Sequence, residues 1–306
     1  MMDMHHESSI KSALHFMSWC PTSALEAEVE TYARSFAQLL NARLSFRRDE
    51  ECNHQIHNYL AAEVQYEQSD LILFHKRVRL LPIWLKPHPT EKQLLKWMPT
   101  SLLILRGLQW PLRKILLVLR DSEFDHAAIA WMSQIASKSS AAVTVLPILA
   151  PLPHLFDRIS LEHRWLIHYL DNECPLGKRL QQVTQCFEKQ NIQGSLHLRQ
   201  GTITEQMSKE IDNGSYDLLI TAADTTQSIM NRMMGELVNP LLSLSDVPVL
   251  IAKPIRFLRG TGTMKNGGIC SVGKNARRTF KLFDFFKKHC SSKSSKPDGL
   301  RFQPEK

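Results

Sequence analysis

Apolar residues in this chain gather in short runs separated by stretches of helical period. Asp70-Leu71-Ile72-Leu73 is followed, 32 positions on, by Leu102-Leu103-Ile104-Leu105-Arg106. Asp217-Leu218-Leu219-Ile220 is followed, again 32 positions on, by Val249-Leu250-Ile251-Ala252-Lys253. The second pair lies 147 positions after the first. Continuous apolar runs of this length mark strands buried on both faces. Repetition of such a unit fixes architecture before any single motif does. The spacing predicts one α/β unit built twice.

The second half carries the clearer pattern. Lys114–Leu119 reads as a strand. Asp121-Ser122 is placed to cap the next helix, where Phe124, Ala128, Trp131 and Ile135 share one face. Ala142–Leu146 is the next strand. Residues 150–174 read as an insertion with its own helix at Ser160–Leu170. A helix over Leu176–Lys189 and a strand over Ser195–Arg199 follow. Gly201-Thr202 opens a helix that Asn213-Gly214 stops. Strand 217–221, a polar loop, a helix through Leu237–Leu244 and strand 247–252 complete the half. Strands alternating with helices in this way give a parallel sheet covered on both sides.

The first half is a shorter version of the same order. Ile10–Trp19 supplies its first strand, and Leu25, Val29, Tyr32, Phe36 and Leu40 repeat the helical face. Ala42–Phe46 is the second strand. One helix, His54–Gln65, leads to strand 70–74. Four strands are expected here and five in the second half. The domains are 9–108, 111–255 and a tail, 256–306. The edge strands 102–106 and 249–253 are expected to pair, making an internal pseudo-dimer, with further self-association open.

Two stretches of the second half are similar to the universal stress protein family. They are KILLVLRDSEFDHAAIAWMSQIASKSSAAVTVLPIL and LRQGTITEQMSKEIDNGSYDLLITAADTTQSIMNRMMGELVNPLLSLSDVPVLIAKP. A glycine entering a helix and then the D-V-P-V-L-I strand are the most specific part. The resemblance covers residues 112–254, and the first half looks like a diverged copy. It implies a doubly wound, Rossmann-related five-stranded sheet in each half, usually dimeric, in a family where many members bind ATP and others do not. ATP-binding members carry an acid after the first strand, and G-x-x-G-x9-G-[S/T] after the fourth. Here the acid position falls on Arg120, followed by Asp121 and Ser122. The glycine positions fall on Ala222, Thr225 and Gly235, and the hydroxyl position on Glu236.

Side chains at 222 and 225 restrict the approach of a phosphate to the backbone. Glu236 sets a carboxylate beside phosphate oxygens. The expected function is a cytoplasmic stress-response or regulatory binding protein with a degraded nucleotide site, no cofactor and no catalysis. An ATP-binding protein or weak ATPase is the alternative. The same offset maps the glycine positions onto His75, Val78 and His88 in the first half. There His75-Lys76-Arg77-Val78-Arg79 is either an anion pocket or a solvated loop.

No other constellation forms a site. Cys52, His54 and His57 lack the fourth ligand of a structural zinc site. His163 and His168 do not face each other on a helix. Asp121, Ser122 and His126 lack a nucleophile elbow. Gly260-Thr261-Gly262 fits no phosphate-binding fingerprint.

Composition changes the picture in one respect. The chain has 306 residues, 43% of them hydrophobic, and a net charge of +8. Residues 256–306 carry thirteen Lys or Arg against three acids, a net of +10, which leaves −2 for everything before them. The body is therefore not a basic globule, and specific nucleic-acid binding is not expected of it. The tail interleaves Phe280, Phe283, Phe285 and Phe286 with Arg278, Lys281, Lys287 and Lys288. That suits an anionic membrane surface, an acidic protein partner or single-stranded nucleic acid, or docking on the body. Six cysteines without a CxxC, and a polar start lacking a signal-peptide pattern, point to a reducing compartment.

Overall fold

The computed structural model describes residues 14–20, 27–48, 62–75, 98–119, 124–149, 175–223, 241–242 and 244–253. The first part holds β1 (His15–Cys20), α1 (Ala27–Leu40), β2 (Arg43–Arg48), a helical turn over 62–66, β3 (Leu71–His75) and β4 (Ser101–Leu105). The second holds β5 (Lys114–Leu119), α2 (Asp125–Ser139), β6 (Ala142–Leu149), α3 (Pro175–Gln190), β7 (Gly194–Leu196), β8 (Arg199–Gln200), α4 (Ile203–Asn213), β9 (Leu218–Ala222) and β10 (Val249–Ala252).

Nine strands form one sheet in the order β2-β1-β3-β4-β10-β9-β5-β6-β7, and β8 pairs with the far end of β6. Every described strand pair is parallel except β4 with β10. The two apolar edge strands named from the sequence thus meet at the centre of the sheet. Leu103 faces Leu250, and Leu102 and Ile104 face Ile251 and Val249. Leu103 and Leu250 are themselves 147 positions apart, so the pairing maps onto itself when the halves are exchanged, as an isologous contact does.

The correspondence extends outward. Phe16 pairs with Leu71 and Leu44, and Ile115 with Leu218 and Val143. β1-α1-β2 therefore maps onto β5-α2-β6 at an offset of 99, and β3-β4 onto β9-β10 at 147. The difference is the stretch holding α3, β7, β8 and α4. Local contacts repeat with it. The Asp70 carboxylate accepts from the His15 N–H at 3.0 Å, and the Asp217 carboxylate from the Lys114 N–H at 2.8 Å. Asn41 and Ser140, just past α1 and α2, both take left-handed backbone, with φ of 58° and 56°.

Helices cover both faces. On one, Phe16, Tyr32 and Phe36 of the first half share a core with Trp131, Ile135 and Phe187 of the second. Phe16 and Trp131 rings lie 6.1 Å apart across the junction. On the other face, Trp19, Phe74 and Met98 share a core with Leu116, Met207 and Tyr216. Both cores run through the β4–β10 junction, so the apolar area that drives folding is common to the two halves.

The structure corrects several local expectations. α2 begins at Asp125 with Phe124 at its N-cap and no side-chain cap, so Asp121-Ser122 does not hold the capping position. The strand expected over Ser195–Arg199 splits into β7 and β8. Gly214 ends α4 in extended backbone. A glycine is needed there because a Cβ would lie 2.2 Å from the Tyr216 ring. The insertion 150–174, the helix over 54–61 and the tail lie outside the described residues.

Candidate functional site

β5 and β9 run side by side, with Val118 facing Thr221. β5 connects onward to β6 on its other flank, so the strand order reverses between β5 and β9. The carboxyl ends of strands at such a reversal form the ligand crevice of open α/β sheets. β5 ends at Leu119, and the chain continues into Arg120, Asp121 and Ser122. β9 ends at Ala222, and the sequence continues to Thr225, Gly235 and Glu236. Of these seven residues only Ala222 is described. The fold brings together the two strand ends from which the others leave.

Ala222 is 1% exposed, and its methyl group packs in the core that holds Leu250 and Ala252. Ala223 turns to the opposite core, and its N–H donates to the Ala252 carbonyl at 2.8 Å. The first glycine position of the phosphate loop is therefore a packed element of the sheet. At the same edge Asp125, in the first turn of α2, is fully buried. A carboxylate there is favoured by the helix dipole. The sequence reading passed over it. Its signal was an acid in the first turn of an amphipathic helix.

The corresponding crevice of the first half is built differently. Trp19 and Phe74 face each other across β1 and β3, in the register positions of Val118 and Thr221. Their rings stack at 5.0 Å and are buried. His75 ends β3, and Lys76 to Arg79, with His88, lies outside the described residues.

Two polar clusters, neither foreseen, sit away from the crevice. In the first half His15 Nδ1 lies 3.1 Å from the Glu67 carbonyl and 3.2 Å from Ser69 Oγ, with Nε2 3.6 Å from the Glu67 carboxylate. A serine, a histidine and an acid meet, but the carbonyl can only accept. Nδ1 therefore carries the proton and is not free to take one from Ser69. Arg47 pairs with Glu63 and Glu67, and Ser45 donates to Glu67 at 2.9 Å. Asp70 is raised above the usual carboxylate range by burial, against the opposing pull of its His15 contact. His15 and Asp70 lie at the amino ends of β1 and β3, and Ser45 and Arg47 of β2 extend the cluster along the sheet, securing the helical turn over 62–66 to it.

In the second half Glu210 of α4 is buried. Its carboxylate accepts from Tyr216 Oη at 2.5 Å, His197 Nδ1 at 2.9 Å and Arg199 Nη2 at 2.8 Å. Burial opposes ionisation, but the hydrogen bonds from His197, Tyr216 and Arg199 outweigh it and hold Glu210 down to about 2. Burial and the bond to Glu210 push Tyr216 up. Lys114 Nζ sits 4.7 Å from the Tyr216 ring centre. The cluster ties β8 and α4 to the entry of β9. Among the described residues no group of three His, Cys, Asp or Glu is placed to hold a metal ion, and no helix is long and apolar enough to cross a membrane.

Neither a protein-family model nor a curated protein matches this chain. Solved structures do. A Pseudomonas aeruginosa structure assigned to the universal stress proteins is 15% identical over 81% of this chain and 96% of its own, with a TM-score of 0.52. A universal stress protein from Archaeoglobus fulgidus is 11% identical over 78% of this chain and 97% of its own, with a TM-score of 0.51. Each is covered almost end to end by this chain. At such identities the likeness is one of architecture, and the chain has the doubly wound α/β fold of the universal stress proteins.

Proposed function

We propose that this chain is a tandem universal stress protein-like binding protein whose halves form an internal pseudo-dimer. Its crevice between β5 and β9 keeps the architecture of a nucleotide site without the groups that hold phosphate. It acts by binding and regulation, not by catalysis. The observation that supports this most is the state of β9's end. The position that a phosphate loop reserves for glycine is Ala222, with its methyl group locked into the core. Bare backbone amides are what such loops offer to phosphate. The sequence after Ala222 supplies Thr225 and Glu236 where the second glycine and the hydroxyl belong.

The test is titration calorimetry of the full chain with millimolar Mg-ATP, together with analysis of any nucleotide released on denaturing the purified protein. No saturable binding and no released nucleotide are expected. Micromolar affinity would overturn the reading in favour of an ATP-binding protein or weak ATPase. Affinity gained on combining Ala222→Gly, Thr225→Gly and Glu236→Ser would show that the pocket persists and that its phosphate contacts are what was lost.

A further inference from the structure

Arg106 follows β4 and Lys253 follows β10, 147 positions apart. Arg106 Nη1 donates to the carbonyl oxygens of Leu242 and, at 3.0 Å, Ser245. Lys253 Nζ donates to the Met98 carbonyl at 2.5 Å. Met98 and Ser245 are also 147 positions apart. Each half thus sends a cation from beyond its last strand to the segment that leads into the other half's last strand. The antiparallel β4–β10 pair makes this reciprocal, because it sets the end of each strand beside the start of the other.

The surroundings hold both contacts close. Ser101 Oγ accepts from the Lys253 N–H at 3.1 Å and from Trp131 Nε1 at 3.0 Å. At the Arg106 end, Gly107 has a φ of +34°, and a Cβ there would lie 2.0 Å from the Asp246 carbonyl oxygen. We propose that Arg106 and Lys253 are the two arms of a reciprocal clasp between the halves, and that only the Lys253 arm responds to pH. The Arg106 arm also ties down Leu242 and Ser245, which precede β10. One half therefore holds residues just ahead of the other half's last strand.

The arms differ for a chemical reason. A guanidinium stays charged and is weakly hydrated, whereas an ammonium is strongly hydrated and sheds its proton when buried. Burial lowers Lys253 to about 8. A neutral amine still has N–H to offer Met98. With the arm open, the ammonium is solvated and keeps its ordinary affinity for the proton. Closing therefore releases a proton, and raising the pH above 8 favours the closed arm. Between pH 7 and pH 9 the closed-to-open ratio rises about tenfold.

Hydrogen exchange of the full chain at pH 7, 8 and 9, normalised for intrinsic rates, reads this directly. Protection of the amides over 100–102 is expected to rise about tenfold from pH 7 to pH 9 relative to those over 242–247. Lys253→Arg is expected to flatten that difference while keeping the protection, and Lys253→Met to flatten it and lower the protection. Should the Met variant fail to fold, the Arg variant carries the test alone. Equal pH slopes for the two segments in the unsubstituted chain, or an unchanged slope in Lys253→Arg, would overturn the proposal.

Discussion

Replacing Glu210 by Gln tests whether the buried cluster beside α4 stabilises the second half through charge. The native carboxylate accepts hydrogen bonds from His197, Arg199 and Tyr216, and its side chain is only 4% exposed. Its proton affinity falls from the ordinary 4.5 to about 2. A group whose folded value is depressed adds stability above its unfolded value, and that stability is lost as pH falls toward the folded one. The full contribution is about 3 kcal/mol at neutral pH, and about 2 kcal/mol of it is gone by pH 3. The amide removes this term and leaves the Arg199 guanidinium without its counter-charge. Arg199 reaches solvent, which holds the additional loss near 1 kcal/mol.

Urea denaturation of the full chain and of Glu210→Gln, run from pH 7 to pH 3, supplies the measurement. The two stabilities are expected to differ by about 3–4 kcal/mol at pH 7, and the gap is expected to narrow by about 2 kcal/mol at pH 3. Other carboxylates that titrate over this range appear in both chains and cancel in the difference. A gap independent of pH would show that Glu210 acts through packing alone and would refute the reasoning.

Two further outcomes concern assembly and the tail. Cleavage between Gly107 and Pro111 is expected to leave fragments that co-elute on size exclusion, because both cores and the β4–β10 ladder cross the cut; residues 111–255 behaving alone as a stable monomer would contradict this. Removal of residues 260–306 is expected to abolish sedimentation with anionic vesicles while leaving the Tm of the body nearly unchanged. Each basic residue near such a surface contributes roughly 1 kcal/mol at low salt, so the binding should weaken steeply as salt rises. A large drop in Tm would instead place Phe280, Phe283 and Phe286 against the body.

The strands were legible because burial on both faces leaves no polar alternation to obscure them. Ile115 to Leu119 and Val249 to Ala252 are buried throughout, and their sequences are unbroken apolar runs. The central pairing was legible because equal offsets named two equivalent edges. What escaped the sequence depends on contacts between distant residues. His15 meets Glu67, 52 positions away, and Asp217 meets Lys114, 103 away; no local pattern announces either. Gly214 carried the composition of a left-handed helix stop, but the Tyr216 ring dictates it. At the crevice, six of the seven named residues lie outside the described residues, in stretches of the sequence where apolar periodicity gives no guide to placement.

The halves agree and differ at opposite edges of the sheet. At the amino edge, Asp70 and Asp217 make the same contact with the first strand of each half, and Arg43 and Ala142 donate alike to Leu14 and Arg113. These contacts set the register of the parallel strands, and register must be the same wherever the same sheet is built. At the carboxyl edge the equivalence ends. Trp19 and Phe74 stack where Val118 and Thr221 stand, and His75 occupies the place of Ala222. Architecture constrains the first edge, whereas the second carries loops free to take on chemistry. Equivalent places in the fold are therefore filled differently, by two stacked rings in the first half and by Val118 and Thr221 in the second, so the repeat extends to the register of the strands and not to the side chains at their carboxyl ends.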